Sequence, residues 1–100
     1  MPKTRQPREQ WIYTRQRIWM RDQAQCYRCQ QLGIPHVMAL EHCHIDHIKS
    51  GKRASNADSN LRVLCKFHHV LRLDQRHRGM IGSALREGLI PPNWRERLWE

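Results

Sequence analysis

One hundred residues without an apolar run of membrane-span length leave room for one small domain and exclude a membrane-spanning helix. A net charge of +9 and a pI near 10.3 favour a polyanionic partner, and nucleic acid is the commonest. No secretory signal follows Met1-Pro2-Lys3-Thr4-Arg5, so a cytoplasmic, reducing setting is expected. There, paired cysteines serve as metal ligands rather than disulfides.

Residues 1–8 hold Pro2, Lys3, Arg5, Pro7 and Arg8 without an apolar period, as in a basic flexible tail. Residues 9–100 are expected to form a single domain, with a core over 37–78 and a helical extension over 79–100. From Glu9 to Asp22, Trp11, Ile12, Ile18 and Trp19 recur at helical spacing with Arg15, Arg17 and Arg21 between them. This predicts an amphipathic helix with a basic outer face. Cys26 to Pro35 reads as a short knuckle ending at Gly33 and Pro35. Val37 to Ile48 alternates like a strand, Lys49 to Ser59 has loop composition, and Leu61 to Leu64 fits a second, short strand. Phe67, Val70 and Leu71 predict a helix from Lys66 to about Gln75. A short helix follows over Ser83 to Glu87, with Ser83 as its cap. Pro91-Pro92-Asn93 precedes a final turn over Trp94 to Trp99. The fold class is α+β.

Cys26-Tyr27-Arg28-Cys29 is a C-x-x-C knuckle and Cys65-Lys66-Phe67-His68 a matching C-x-x-H. Two intervening residues let a tight turn aim both side chains at one ion, and two such pairs complete a tetrahedral zinc site. The pairs are separated by 35 residues, so the metal would close a whole subdomain. Structural zinc contributes roughly 10–16 kcal/mol in finger peptides, ample beside a net stability of about 5–10 kcal/mol. Cys43 stays outside this set and is expected to be a buried strand residue.

A second cluster is suited to phosphodiester hydrolysis, which needs a base for water and a cation for the phosphorus and leaving oxygen. His47 is the candidate base, since an unperturbed imidazole titrates near 6.5. Asn60 is expected to hold its other ring nitrogen through the side-chain carbonyl. Asp46 and His69 are the candidate ligands for one divalent cation, Mg²⁺, Mn²⁺ or similar. Replacing either is expected to abolish catalysis while leaving the fold and the structural zinc largely intact. His44 shares strand parity with His42 and Asp46, and is either a partly solvated strand residue or a third ligand. In a rival assignment His44 is the base and His47 a ligand. His36 and His77 lack a companion pattern and are given loop or surface roles.

The segment Leu40 to Arg72, about a third of the chain, resembles the ββα-metal core of HNH endonucleases. The likeness is carried by Asp46-His47, Gly51, Asn60-Leu61 and Cys65 through His69, with Arg21-Asp22 and Cys26-x-x-Cys29 resembling the usual lead-in. It implies His47 as base, Asn60 as its orienting partner, and Asp46 with His69 as metal ligands. His68 stands where a second knuckle cysteine is usual, which makes the zinc site Cys3His. Arg72 stands where lysine is common.

The implied activity is metal-dependent DNA cleavage, nicking one strand unless two active sites meet, in a bacterial, phage or prophage setting. Lys49, Lys52, Arg53, Arg72, Arg76 and Arg78 flank the motif and are candidate phosphate contacts. Trp94 and Trp99 are candidates for base stacking, whereas Trp11 and Trp19 belong to the packed helical stripe. Two alternatives stand beside cleavage. One is an inactive, zinc-stabilised DNA-binding module, and the other an accessory subunit of a larger phage or defence DNA-processing complex.

Overall fold

The computed structural model describes residues 7–49, 55–73 and 78–100. Helices and a two-stranded antiparallel sheet make up two compact units, Met1–Cys65 and Lys66–Glu100.

The first unit opens with α1, Arg8–Arg21, close to the expected span. Glu9 sits in its first turn, where a carboxylate complements the helix dipole. Ile18 and Thr14 form its buried stripe, with Trp11 and Trp19 half-buried beside them. Ile12, expected in the stripe, is 51% exposed, because it falls one residue away from the i, i+3, i+7 row of Trp11, Thr14 and Ile18. The helix ends in two left-handed residues, Gln23 (φ 55) and Ala24 (φ 59), with Ala24 N donating to Trp19 O at 2.8 Å.

The knuckle contains a short helix, α2 (Tyr27–Gln31), with Cys26 as N-cap. Gly33 at φ +72 supplies the left-handed turn after it, and Ile34 N returns to Cys29 O at 2.8 Å. The long strand expected over Val37 to Ile48 is shorter. Val37 makes only an isolated bridge to Gln25, Leu40–His42 is a 3₁₀ turn, and β1 covers His44–His47. Trp19 Nε1 and Ala24 O hold Met38 (2.8 Å each), and Arg15 donates to Leu40 O at 2.9 Å. Met38 and Leu40 are thereby spent on helix contacts rather than on a strand partner. His42 consequently lies outside the strand, and the parity expected for His42, His44 and Asp46 does not extend to it.

β2 is Leu61–Leu64, as expected, and pairs with β1 so that His44 faces Leu64, Ile45 Val63, Asp46 Arg62 and His47 Leu61. It is buried along its whole length, with α1 and α2 both packed against it. α1 also completes its open edge. Arg21 donates to Leu61 O at 2.6 Å, and Asp22 Oδ2 accepts from Val63 N at 3.0 Å. These are the groups that a third strand would otherwise pair. Arg17 meets Asp58 through two hydrogen bonds of 2.9 and 2.8 Å, and this holds the Asp58 carboxyl below its usual range. Arg17 and Arg21 lie on the exposed face, as expected, and also tie α1 to its own unit.

In the second unit, α3 covers Lys66–Val70 and α4 Arg78–Arg86. Ser83, expected as a cap, lies within α4, where its hydroxyl donates to Glu87 at 3.2 Å. Gly88 (φ +73) ends the helix, with Leu89 N donating to Ala84 O at 2.9 Å. A 3₁₀ turn, Trp94–Arg97, precedes the C-terminal residues. Trp99 bridges Arg72, exchanging backbone bonds with Leu71 and Leu73. Val70, Leu71, Ile81, Ala84, Ile90 and Trp99 are buried here. Among the described residues no helix is long and apolar enough to cross a membrane.

Candidate metal centre

The knuckle pair and the C-x-x-H pair come together. The ligand atoms of Cys26, Cys29, Cys65 and His68 all lie within 4.8 Å of one another. Local structure explains each position. Cys26 caps α2, with its sulfur accepting from Cys29 N at 3.5 Å, so both thiols of the pair lie at the start of one helix. Cys65 ends β2, and His68 lies three residues on, in α3. Cys29 and Cys65 sulfurs are 4.0 Å apart, close to the roughly 3.8 Å that two Zn–S bonds of about 2.3 Å give at a tetrahedral angle.

The donor set fits zinc. Three soft thiols and an imidazole suit a borderline-soft ion without a free coordination position. All four cysteines are buried thiols. Burial, then the neighbouring Cys26, pushes the Cys29 thiol from 9.0 up to about 11. Without a cation Cys29 therefore keeps its proton, and a bound metal reverses that preference. The cluster could hold a structural metal ion such as zinc. Cys43, as expected, stands apart. It is buried, its thiol donates to Leu40 O at 3.1 Å, and burial raises its pKa.

Two residues beside this cluster escaped the sequence reading. His36 Nδ1 lies 3.4 Å from Cys29 Sγ. Its signal was the turn at Gly33, which sends the chain back past the knuckle. Trp99, a candidate for base stacking, is 6% exposed and donates from its indole nitrogen to His68 O at 2.7 Å. Its ring meets the His68 imidazole edge-on, with centroids 6.1 Å apart. It supports a candidate ligand instead of presenting a face to solvent.

The residues expected to cleave DNA are placed as follows. His47 closes β1 and is half-buried. Its Nε2 lies 2.9 Å from Asn56 Oδ1, and its ring stacks on Trp11 at 5.9 Å with planes 4° apart. The orienting carbonyl expected from Asn60 thus comes from Asn56. Asn60 does something else. Its Oδ1 accepts from Lys49 N at 2.8 Å, and its Nδ2 donates to Ser55 O at 2.8 Å and Lys49 O at 3.2 Å. It clamps together the two ends of the loop that follows His47.

Asp46 is buried, and Arg62, its partner across the strands, donates Nε–H to its Oδ2 at 3.0 Å. The Arg62 guanidinium also lies 4.8 Å from the centre of the Tyr27 ring. Asp46 therefore carries a buried ion pair, a structural partner that the sequence did not reveal. His44 is half-buried opposite Leu64, and His69 lies in α3 and is half-buried.

Of the candidate phosphate contacts, Lys49 is exposed. Arg72 is 8% exposed and hydrogen-bonded to Glu100 at 3.2 Å, so it serves the C-terminal packing. Lys52, Arg53, Arg76 and the side chain of Arg78 lie outside the described residues, as do Gly51, His77 and most of the basic tail. Compared with protein-family models, curated proteins and solved structures, the chain matches none.

Proposed function

We propose that the chain is a metal-dependent DNA endonuclease with His47 as general base, built around a structural zinc site. The observation that carries this reading is the setting of His47. Asn56 Oδ1 accepts only a proton-bearing ring nitrogen, so the 2.9 Å contact puts the proton of the neutral imidazole on Nε2 and makes Nδ1 the basic atom. The parallel indole of Trp11 limits rotation of the ring. Asn60 ties Lys49 to Ser55 through its side chain. A histidine with one tautomer, one orientation and a basic nitrogen meets the geometric demand for general-base catalysis. The net charge of +9 suits a phosphodiester polymer.

The divalent cation, when bound, stabilises charge on the phosphate and leaving oxygen. Asp46 and His69 remain its candidate ligands. The guanidinium of Arg62 already occupies the Asp46 carboxylate, so a cation and Arg62 compete for it.

One observation favours the alternative of a zinc-stabilised DNA-binding module. The Asp46–Arg62 pair, with side chains 4% and 6% exposed, is a sufficient structural reason for Asp46. Supercoiled plasmid incubated with purified protein decides between them. The cation should be varied by omission rather than chelation, which leaves structural zinc in place. Nicking that requires Mg²⁺ or Mn²⁺ is expected, and His47→Ala should slow it by about a hundredfold or more while DNA binding persists. Binding without nicking under every cation would leave the module reading in possession.

A further inference from the structure

We propose that His36 donates its Nδ1–H to the Cys29 thiolate of the metal-loaded cluster, as a positioning residue of that centre and not one of its ligands. The inference rests on the reading of Cys26, Cys29, Cys65 and His68 as a metal site. Its geometric basis is the 3.4 Å separation of His36 Nδ1 and Cys29 Sγ, a hydrogen-bond distance for sulfur.

The backbone brings His36 there from both sides. Behind it, the Gly33 turn and the Ile34 N to Cys29 O bond fold the chain back over α2. Ahead of it, Val37 bridges Gln25 and Met38 N donates to Ala24 O at 2.8 Å. His36 is thus held on a short segment closed at each end, next to one particular cysteine.

Charge supplies the reason for a donor. Three thiolates and a neutral imidazole around a divalent ion carry a net charge of −1, in a site whose three cysteines are each at most 5% exposed. Excess negative charge in such surroundings is costly. A ring N–H aimed at one sulfur draws off part of it, and a hydrogen bond to an ionised acceptor is stronger than a neutral one. A neutral histidine suffices, so no titration is involved. The ligand set also leaves no place for His36 on the ion. Four donors already complete the tetrahedron, and His36 falls outside the group whose ligand atoms are mutually within 4.8 Å.

Cobalt(II) titration of the full chain provides the test, with zinc transfer to a chromogenic chelator as a second readout. Wild-type protein should show the absorption of tetrahedral cobalt with thiolate charge-transfer bands. His36→Ala should keep the tetrahedral pattern, shift the charge-transfer band to lower energy, and release zinc about tenfold faster. The shift follows because a thiolate relieved of its hydrogen bond gives up an electron more readily. His36→Asn, which retains an N–H near the same position, should move both readouts back towards wild type. His36→Phe, which keeps ring volume without a donor, should behave like His36→Ala and covers the case in which the smaller side chain unsettles the loop. Unchanged band energy and release rate in both donor-free variants would overturn the proposal. Loss of the tetrahedral pattern would also overturn it, by making His36 a ligand. A wild-type protein that binds neither cobalt nor zinc would sink the metal reading itself, which is distinguishable because that failure needs no variant.

Discussion

Replacing Arg62 with methionine tests how Asp46 is held. The substitution keeps an unbranched stem beside Tyr27 and removes the guanidinium that donates to Asp46 at 3.0 Å. The carboxylate stays behind with its side chain 4% exposed, without its counter-charge. Breaking a buried pair from one side costs about 3–5 kcal/mol, and losing the cation–π contact with Tyr27 adds about 0.5–2 kcal/mol. A small domain has roughly 5–15 kcal/mol in total, and 1 kcal/mol moves its midpoint by about 4–8 °C. The expected fall is therefore at least about 12 °C in zinc-replete buffer, followed by circular dichroism, with the same ordering in urea. Asp46→Asn combined with Arg62→Met removes the stranded charge and should regain most of the loss, giving a coupling of about 2 kcal/mol or more between the two sites. If Arg62→Met costs less than about 1 kcal/mol, or the double variant is no better than the single, the pair does not secure the sheet. Asp46 then has no structural role in the sheet.

Three further outcomes follow from the same geometry. Cys29→Ala should lose bound zinc and lower the thermal midpoint, and a full equivalent of zinc at unchanged stability, read by metal analysis, would contradict the ligand set. With the Cys29 thiol of the metal-free cluster near 11, zinc uptake at pH 7.5 must displace at least its proton, alongside any that Cys26 and Cys65 carry. Calorimetry in buffers of different ionisation enthalpy counts them. Because the metal-free state holds these protons and the loaded state does not, apparent zinc affinity should rise with pH and fall on acidification. Asp22→Ala removes the acceptor for Val63 N and should cost about 1–3 kcal/mol. Amide exchange at Val63 should accelerate while bound zinc is retained, whereas unchanged exchange would show that the strand edge is covered by something else.

Much of the scaffold was legible because it depends on local signals. The 3.6-residue recurrence around Trp11 and Ile18 marks α1, and the run Leu61 to Leu64 marks β2. The C-x-x-C and C-x-x-H spacings indicate the metal cluster before any coordinates do, since two residues between ligands is a constraint carried by the chain itself. The sequence misleads where long-range partners decide. Val37 to Ile48 has strand composition throughout, yet Met38 and Leu40 give their carbonyls to Trp19 and Arg15, and only His44–His47 is left to pair. Arg17 and Arg21 of α1 do lie on an exposed face, but charge patterning does not reveal that Asp58 and Leu61 O are their partners.

The asparagines show the same limit at the candidate active site. Asn56 and Asn60 both lie downstream of His47 and offer identical donors and acceptors. What separates them is how the chain returns from β1 to β2. Ile48 N pairs with Asn60 O at 2.9 Å, which continues the ladder one step beyond His47 and Leu61 and places Asn60 beside the backbone of the outgoing chain. Its side chain is there committed to Lys49 and Ser55. The same clamp fixes Ser55 at the foot of the loop, one residue before Asn56, whose carbonyl then reaches His47. Asn60 thus acts on the candidate base through its bond to Ser55, and Asn56 through direct contact. Asn56→Ala should therefore slow any cleavage by freeing the His47 ring. Asn60→Ala should do so only to the extent that the loop moves Asn56, and with Asn56 already replaced it should add little, because the two act in series on one ring. Additive losses in the double variant would show that Asn60 reaches the reaction by another route.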